Sequence, residues 1–188
     1  MFKPKKKINE NAVKKDFFKV VKKEKGVDYV VETDIAKTEF LIIDKFKENI
    51  NFPKKGTILN ILTTKNNSIV DLIKGQAVEE LIVICSRIDI KSIDKIKDIE
   101  NKYLILSDVV RDRKPEIYRA AESSFKNIIV CRNHAKMLLF KIKDNYYVCQ
   151  TSANPSINAR NEFYNIYNDE NAYKKIIECS KIKETSKA

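Results

Sequence analysis

Residues 80–88, ELIVICSRI, form the stretch that decides the fold. Five apolar residues in a row follow Glu80. A continuous apolar run of this length is typical of a strand buried on both faces, as the strands of a parallel sheet are. Ser86 and Arg87 come directly after the run, where α/β sheets place ligand sites, although the sequence assigns them no specific role.

Strand-like and helix-like segments alternate on both sides of this strand. Pro115 stands in the first turn of one predicted helix, a position that proline favours. The pattern predicts strands at residues 27–32, 57–63, 103–106 and 127–132, and helices at residues 34–49, 68–75, 90–99 and 115–125. Of these, residues 34–49 also fit a buried strand. Alternation at such short spacing indicates βαβ units and an α/β fold.

After residue 132 the pattern changes to that of a hairpin with its turn at Asp144 and Asn145. Antiparallel pairing through that turn sets Lys136 beside residue 153. The pattern predicts strands at residues 134–143, 145–152 and 162–167, a helix at residues 171–181 and a polar tail at residues 183–188. No internal repeat or flexible linker interrupts the chain, so we predict one domain over residues 27–182.

Positive charge is concentrated in residues 1–26, which carry +7 of the net charge of +11. Apolar residues at helical spacing predict an amphipathic helix over residues 8–24, with Gly26 as its stop. We therefore predict a basic N-terminal helical segment. Such a segment suits a polyanionic partner, nucleic acid or less often an anionic membrane. A solvated, lysine-rich helix face is the alternative explanation.

The composition excludes several classes of protein. Apolar residues make up 43% and charged residues 34% of the 188 residues, which excludes a wholly disordered chain and a collagen-like repeat. No apolar run approaches the roughly 18–20 residues of a membrane span. The basic N-terminal stretch lacks the apolar segment of a secretory signal, so we expect a cytoplasmic protein.

The cysteines and the histidine argue against a metal site. Cys85, Cys131, Cys149 and Cys179 form no CxxC pair, and in a cytoplasmic protein we expect them to be reduced structural thiols. His134 is the only histidine of the chain. We therefore expect neither a zinc site nor another metal or cofactor.

The residues suited to catalysis fall within residues 133–165. Alternate side chains of an extended strand share a face, so His134 and Lys136 point the same way, as do Ser152 and Asn154. The hairpin sets the two pairs side by side. Lysine, serine and asparagine can hold the oxygens of a phosphate, and a neutral imidazole can attack its phosphorus. On these residues alone, a structural or merely exposed histidine is the alternative.

Three parts of this stretch resemble the active-site signature of the phospholipase D superfamily: HAK at residues 134–136, TSAN at residues 151–154 and the later Glu162. That signature consists of H-x-K, an Asp, G-S-x-N and a later acidic residue. The resemblance implies a phospholipase D-like α/β fold, a mixed β-sheet flanked by helices in a single domain. Asp144, implied to be structural, stands eight positions after the lysine, whereas the family usually leaves four residues between the two. Thr151 replaces the usual glycine.

The resemblance also implies roles for the motif residues. His134 would be the nucleophile, and Glu162 would orient its ring by accepting a hydrogen bond from the second nitrogen. Lys136, Ser152 and Asn154 would hold the phosphoryl oxygens. This chemistry needs no metal, because lysines balance the charge.

The family mechanism uses two histidines, whereas this chain has one. We therefore predict a symmetric homodimer, the commonest kind of protein assembly, with one site shared by two chains. In that dimer His134 attacks phosphorus and the partner's His134 protonates the departing oxygen.

The loop SINARNE holds Asn158 and Arg160, which we predict to contact a phosphate beside the scissile one; contacts within the loop are the alternative. The sequence as a whole predicts a metal-independent phosphodiesterase, an endonuclease acting on DNA or RNA. A nucleic-acid-binding module with little turnover is the second hypothesis, and a phospholipid phosphodiesterase is the third. We expect no stable membrane association, since no stretch has the bulky apolar face of a membrane-docking helix.

Overall fold

The computed structural model of the protein describes residues 19–22, 29–33, 38–46, 50–65, 68–156 and 160–183. Its strands are β1 (Lys19–Lys22), β2 (Tyr29–Thr33), β3 (Thr38–Ile43), β4 (Ile58–Thr63), β5 (Glu80–Cys85), β6 (Asn101–Ser107), β7 (Asn127–Cys131), β8 (Met137–Ile142), β9 (Asn145–Thr151) and β10 (Glu162–Asn168). Its helices are α1 (Ile90–Lys95), α2 (Asp108–Arg113), α3 (Pro115–Ser124) and α4 (Glu170–Ser180), with a 3-10 helix at Ile69–Ile73.

These strands lie in one sheet, in the order β1-β2-β3-β4-β10-β9-β8-β5-β6-β7. β3 is parallel to β4, and β5, β6 and β7 are parallel to one another. The other neighbours are antiparallel. The prediction of an α/β fold with a mixed sheet flanked by helices is thus confirmed. Since β8 is antiparallel to β5, Met137 at its start pairs with Ile84 near the end of β5.

Strand β5 lies between β8 and β6 and contributes to a core on each face of the sheet. Leu81 and Val83 pack into one apolar cluster, with residues of α1 and the 3-10 helix, whereas Ile82 and Ile84 pack into the other, with residues of α4. All four side chains are buried. Because both faces are covered, the strand needs an unbroken apolar sequence, and the prediction made from residues 80–88 is confirmed.

Helix α4 is fastened to the start of β5 by a buried tyrosine. Tyr173 is 1% exposed, and its hydroxyl donates a hydrogen bond to Glu80 at 2.7 Å. The other carboxylate oxygen of Glu80 pairs with Lys183 at 2.6 Å. Burial, followed by the charge of Glu80, raises the pKa of the Tyr173 hydroxyl above its usual value, so the hydroxyl remains the donor.

Replacing Tyr173 with phenylalanine is expected to lower the free energy of unfolding by about 1.5–3 kcal/mol, the usual contribution of a hydrogen bond to a charged group. Urea denaturation measures the change. Tyr167→Phe is the matched control, because its hydroxyl only accepts a 3.4 Å bond from Gln150 in an exposed setting. If the free energy of unfolding falls equally in the two variants, the role given to the Tyr173 hydroxyl is contradicted.

Two predicted helices are strands where the structure describes them. Lys19–Lys22, the described part of the predicted basic helix, is β1 and pairs with β2. Within residues 34–49, Thr38–Ile43 is β3, held between β2 and β4. Its apolar spacing suits a helix or a strand, and pairing with distant neighbours decides between them. The rest of the predicted basic N-terminal segment, residues 1–18 and 23–26, lies outside the described residues. The predicted polar tail lies outside them as well, except for Lys183.

The hairpin of β8 and β9 is confirmed, with a corrected turn. Lys143 and Asp144 form the turn, and Lys143 has a φ of 52°. Lys136 lies opposite Thr151, and the N–H of Thr151 donates a hydrogen bond to the carbonyl of Lys136 at 3.1 Å. The pairing is therefore displaced by two residues from the prediction, which set Lys136 beside residue 153. A two-residue displacement keeps every side chain on its predicted face.

A short helix was not predicted from the sequence. Asp108–Arg113 forms α2 directly after β6, in a segment where the sequence pattern predicts neither a helix nor a strand. None of the described helices is long and apolar enough to cross a membrane.

Candidate active site

A cleft of about 1160 Å³ lies where the parallel strands β5, β6 and β7 end. Sites of α/β proteins form at this edge, because loops leave the carboxyl ends of neighbouring strands together. The residues lining the cleft are Ser86, Arg87, Ser107, Asp108, Val109, Arg132, Asn133, His134, Lys136, Ser152, Asn154, Ser156, Arg160, Asn161 and Glu162.

His134 and Lys136 lie in the connection between β7 and β8, not inside a strand as predicted. Asn133 holds this connection in place. Its amide nitrogen donates to the carbonyl of Cys85 at 3.2 Å, and its amide oxygen accepts from the N–H of Ala135 at 2.8 Å. The side chain of Asn133 thus ties the H-x-K segment to the end of β5. His134 is exposed at the cleft.

Ser152 follows β9 and is fixed to β10. Its N–H donates to the carbonyl of Phe163 at 3.1 Å, and its hydroxyl oxygen accepts from the N–H of Phe163 at 3.1 Å. The same hydroxyl donates to the carboxylate of Glu162, which is 4% exposed. The structure therefore brings Glu162 into the same cleft as His134 and joins it to Ser152.

Asn154 is held by Ser86, which directly follows β5. Its amide oxygen accepts a hydrogen bond from the hydroxyl of Ser86 at 3.0 Å. This contact orients the amide and leaves its N–H groups, which have no bond within the described residues, to donate to a ligand. Ser86 thus has a positioning contact that the sequence did not indicate.

The cleft carries more positive than negative side chains. Its cations are Arg87, Arg132, Lys136 and Arg160, and its carboxylates are Asp108 and Glu162. Within the part of the chain that the structure describes, none of the four cations forms an ion pair. Lys141, by contrast, pairs with Glu79 at 2.7 Å outside the cleft. A group of cations without carboxylate partners is suited to bind an anion.

The remaining predicted residues have separate outcomes. Arg160 lines the cleft, whereas Asn158 lies outside the described residues. Asp144 is exposed in the hairpin turn and does not line the cleft, and its structural role stays a prediction. Thr151 does not line the cleft; its hydroxyl oxygen accepts from the N–H of Ala153 at 2.9 Å and closes the turn after β9.

Several lining residues were not singled out from the sequence. Ser107 is the last residue of β6 and Asp108 follows it, and Arg132 and Asn133 follow β7. Each pair stands at the carboxyl end of a parallel strand, as Ser86 does after β5. That shared position is the signal that could have found them. Among the described residues, no cluster of three or more histidine, cysteine, aspartate or glutamate side chains could hold a metal ion.

Neither a protein-family model nor a curated protein matches the chain. Among solved structures, yeast tyrosyl-DNA phosphodiesterase and a mutant of that enzyme are similar to it, with a TM-score of 0.42 and 10% sequence identity. The similarity covers 57% of this chain and 31% of the yeast chain, about a third of its length.

Proposed function

We propose that the protein is a metal-independent phosphodiesterase that cleaves nucleic acid at a site shared by two identical chains. The observation that supports this most is that the motif residues, which come from three separate segments of the chain, line one cleft. The cations of that cleft have no ion pair within the described residues. An anionic substrate can therefore supply their partner.

The side chains of the cleft suit a phosphate diester. Lys136 places a point charge beside the non-bridging oxygens, and the amide of Asn154, oriented by Ser86, donates to them. Such contacts strengthen as negative charge develops on the phosphoryl oxygens, so they stabilise the transition state more than the bound substrate.

The proposed reaction has two steps. The imidazole of His134 attacks phosphorus, a P–N bond forms, and the P–O bond to the leaving strand breaks as the partner's His134 donates a proton to that oxygen. Water then attacks phosphorus, the partner's His134 accepts its proton, and the P–N bond breaks. The products are a phosphate monoester and a free hydroxyl, with both histidines regenerated.

The dimer supplies the second histidine. A guanidinium group does not lose its proton in proteins, so an arginine does not serve as the acid. His134 is exposed at the cleft rather than enclosed by its own chain. A twofold axis near this residue would bring two copies together and close the site.

Nucleic acid is the substrate that the charge favours. The chain carries a net charge of +11, and Arg87, Arg132 and Arg160 line the cleft together with Lys136. A polymer offers successive phosphates to such a surface, whereas a lipid headgroup offers one. The cysteines are free, which suits the cytoplasm that we propose as its location.

A subunit-mixing experiment tests the shared site. Wild-type protein and His134→Ala are equilibrated in equal amounts, so that a quarter of the dimers are wild type in both chains. If each site needs two histidines, activity falls to about a quarter of that of wild-type protein alone at the same total concentration. Independent sites would leave half of the activity and contradict the proposal. Sedimentation velocity checks that the protein is a dimer, and fluorescence energy transfer between donor-labelled and acceptor-labelled subunits checks that the subunits exchange.

A further inference from the structure

One wall of the cleft differs in character from the basic wall around Lys136. It consists of Ser107, Asp108 and Val109, where β6 ends and α2 begins. Ser107 is 5% exposed and Val109 is 50% exposed. A carboxylate and an apolar side chain thus line the same cleft as four cations, a combination that phosphate binding does not require.

The carboxylate of Asp108 is held in place on one side only. Its Oδ1 accepts from the N–H of Val109 at 2.9 Å and from the hydroxyl of Ser107 at 3.2 Å. Its Oδ2 has no hydrogen bond within the described residues. Arg111, further along α2, pairs with Asp112 at 2.8 Å and interacts with Asp108 only through its charge. One oxygen of a fixed carboxylate is therefore available to a ligand in the cleft.

The chemistry of this wall identifies what it can bind. A carboxylate repels a phosphate, so the phosphodiester itself cannot be its partner. A neutral hydrogen-bond donor can be, and the exposed side chain of Val109 adds an apolar surface beside it. A nucleoside combines these features, since its flat rings pack on apolar groups and its sugar hydroxyls and exocyclic amines donate hydrogen bonds.

We propose that Asp108 determines substrate specificity by accepting a hydrogen bond from the nucleoside next to the scissile phosphate. The donor is either the 2′-hydroxyl of a ribose or the exocyclic amine of a base. This inference rests on the proposed nuclease function and deepens it, because it assigns to one residue the choice between substrates.

Binding of three labelled 12-mers tests the inference: oligo-U RNA, oligo-dU DNA and oligo-dC DNA. Oligo-dU lacks both donors, oligo-U adds only the 2′-hydroxyl, and oligo-dC adds the exocyclic amine. Fluorescence anisotropy at one fixed salt concentration gives the affinities, with the full chain carrying His134→Ala so that no cleavage occurs. One donor-bearing oligomer is expected to bind about 10-fold or more tighter than oligo-dU, the usual range for a hydrogen bond to a charged group.

Adding Asp108→Asn to that protein is expected to remove the preference and to leave oligo-dU binding as strong or stronger, because a repelling charge is gone. Asp112→Asn is the matched control, since Asp112 lies on the same helix, is exposed and does not line the cleft. It should keep the preference.

Three results would overturn the inference in distinguishable ways. Equal affinity for all three oligomers before Asp108 is changed would show that the cleft recognises no such donor. Equal weakening of all three by Asp108→Asn would show that the carboxylate only supports α2. Failure to bind any of these single strands would overturn this inference, and the nucleic-acid function itself would be overturned only if double-stranded DNA and RNA also failed to bind.

Discussion

Replacing His134 with alanine is expected to abolish cleavage of DNA or RNA, lowering the rate at least about a thousandfold, as loss of a catalytic nucleophile does. In a dimer with one shared site the substitution removes both the nucleophile and the proton donor, and no other histidine exists in the chain. Binding should change little, because the four cations of the cleft remain. Cleavage and binding of labelled single- and double-stranded DNA and RNA, in excess EDTA, measure both effects.

The other results of this assay separate the competing functions. Cleavage that EDTA abolishes would contradict the histidine mechanism. Binding of nucleic acid without cleavage by the wild-type protein would favour a binding module that keeps the phosphate pocket. Turnover that requires phospholipid vesicles would favour a lipid phosphodiesterase. An acid-labile phosphate on the protein, lost in His134→Ala, would be direct support for the covalent intermediate.

Replacing Lys136 with methionine is expected to lower kcat by about 100- to 1000-fold, the usual effect of removing one group that stabilises developing charge on an oxyanion. Methionine keeps most of the length of the side chain and removes its charge. Single-turnover cleavage, with the purified variant in excess so that all of the substrate is bound, measures the rate of the chemical step directly.

Lys143→Met is the matched control for this prediction. Lys143 is an exposed lysine of the same hairpin, in the turn at its opposite end and outside the cleft. Lys143→Met changes the net charge by the same amount as Lys136→Met, and it should alter kcat by less than twofold. If the two variants lose activity alike, the effect belongs to the overall charge of the protein, and the assignment of Lys136 is wrong.

The parts of the fold predicted from sequence are those that a local pattern determines. The apolar run at residues 80–88 specified a strand buried on both faces, and β5 is that strand. The spacing of His134, Lys136, Ser152 and Asn154 within a hairpin indicated that they meet, and they line one cleft despite a displaced pairing.

The parts that the sequence did not predict depend on distant partners. Thr38–Ile43 becomes a strand because β2 and β4 lie on either side of it, and no local signal specifies those neighbours. Asn133 and Ser86 gain their contacts only when the ends of β7, β5 and β9 meet. Asp108 could not be predicted as a site residue, because a single acidic residue forms no sequence motif and only the folded structure places it in the cleft.

The place of β10 in the sheet has a consequence for how the protein is made. In the described part of the chain, β10 is the only strand that joins the β1–β4 half to the half that contains β5–β9. β10 also comes after the other described strands along the chain. Until residues 162–168 emerge, the edges of β4 and β9 stay unpaired, and Ser152 and Glu162 cannot meet. The cleft therefore cannot form before β10 is made, and chains truncated before β10 expose two unpaired strand edges that can associate with other chains.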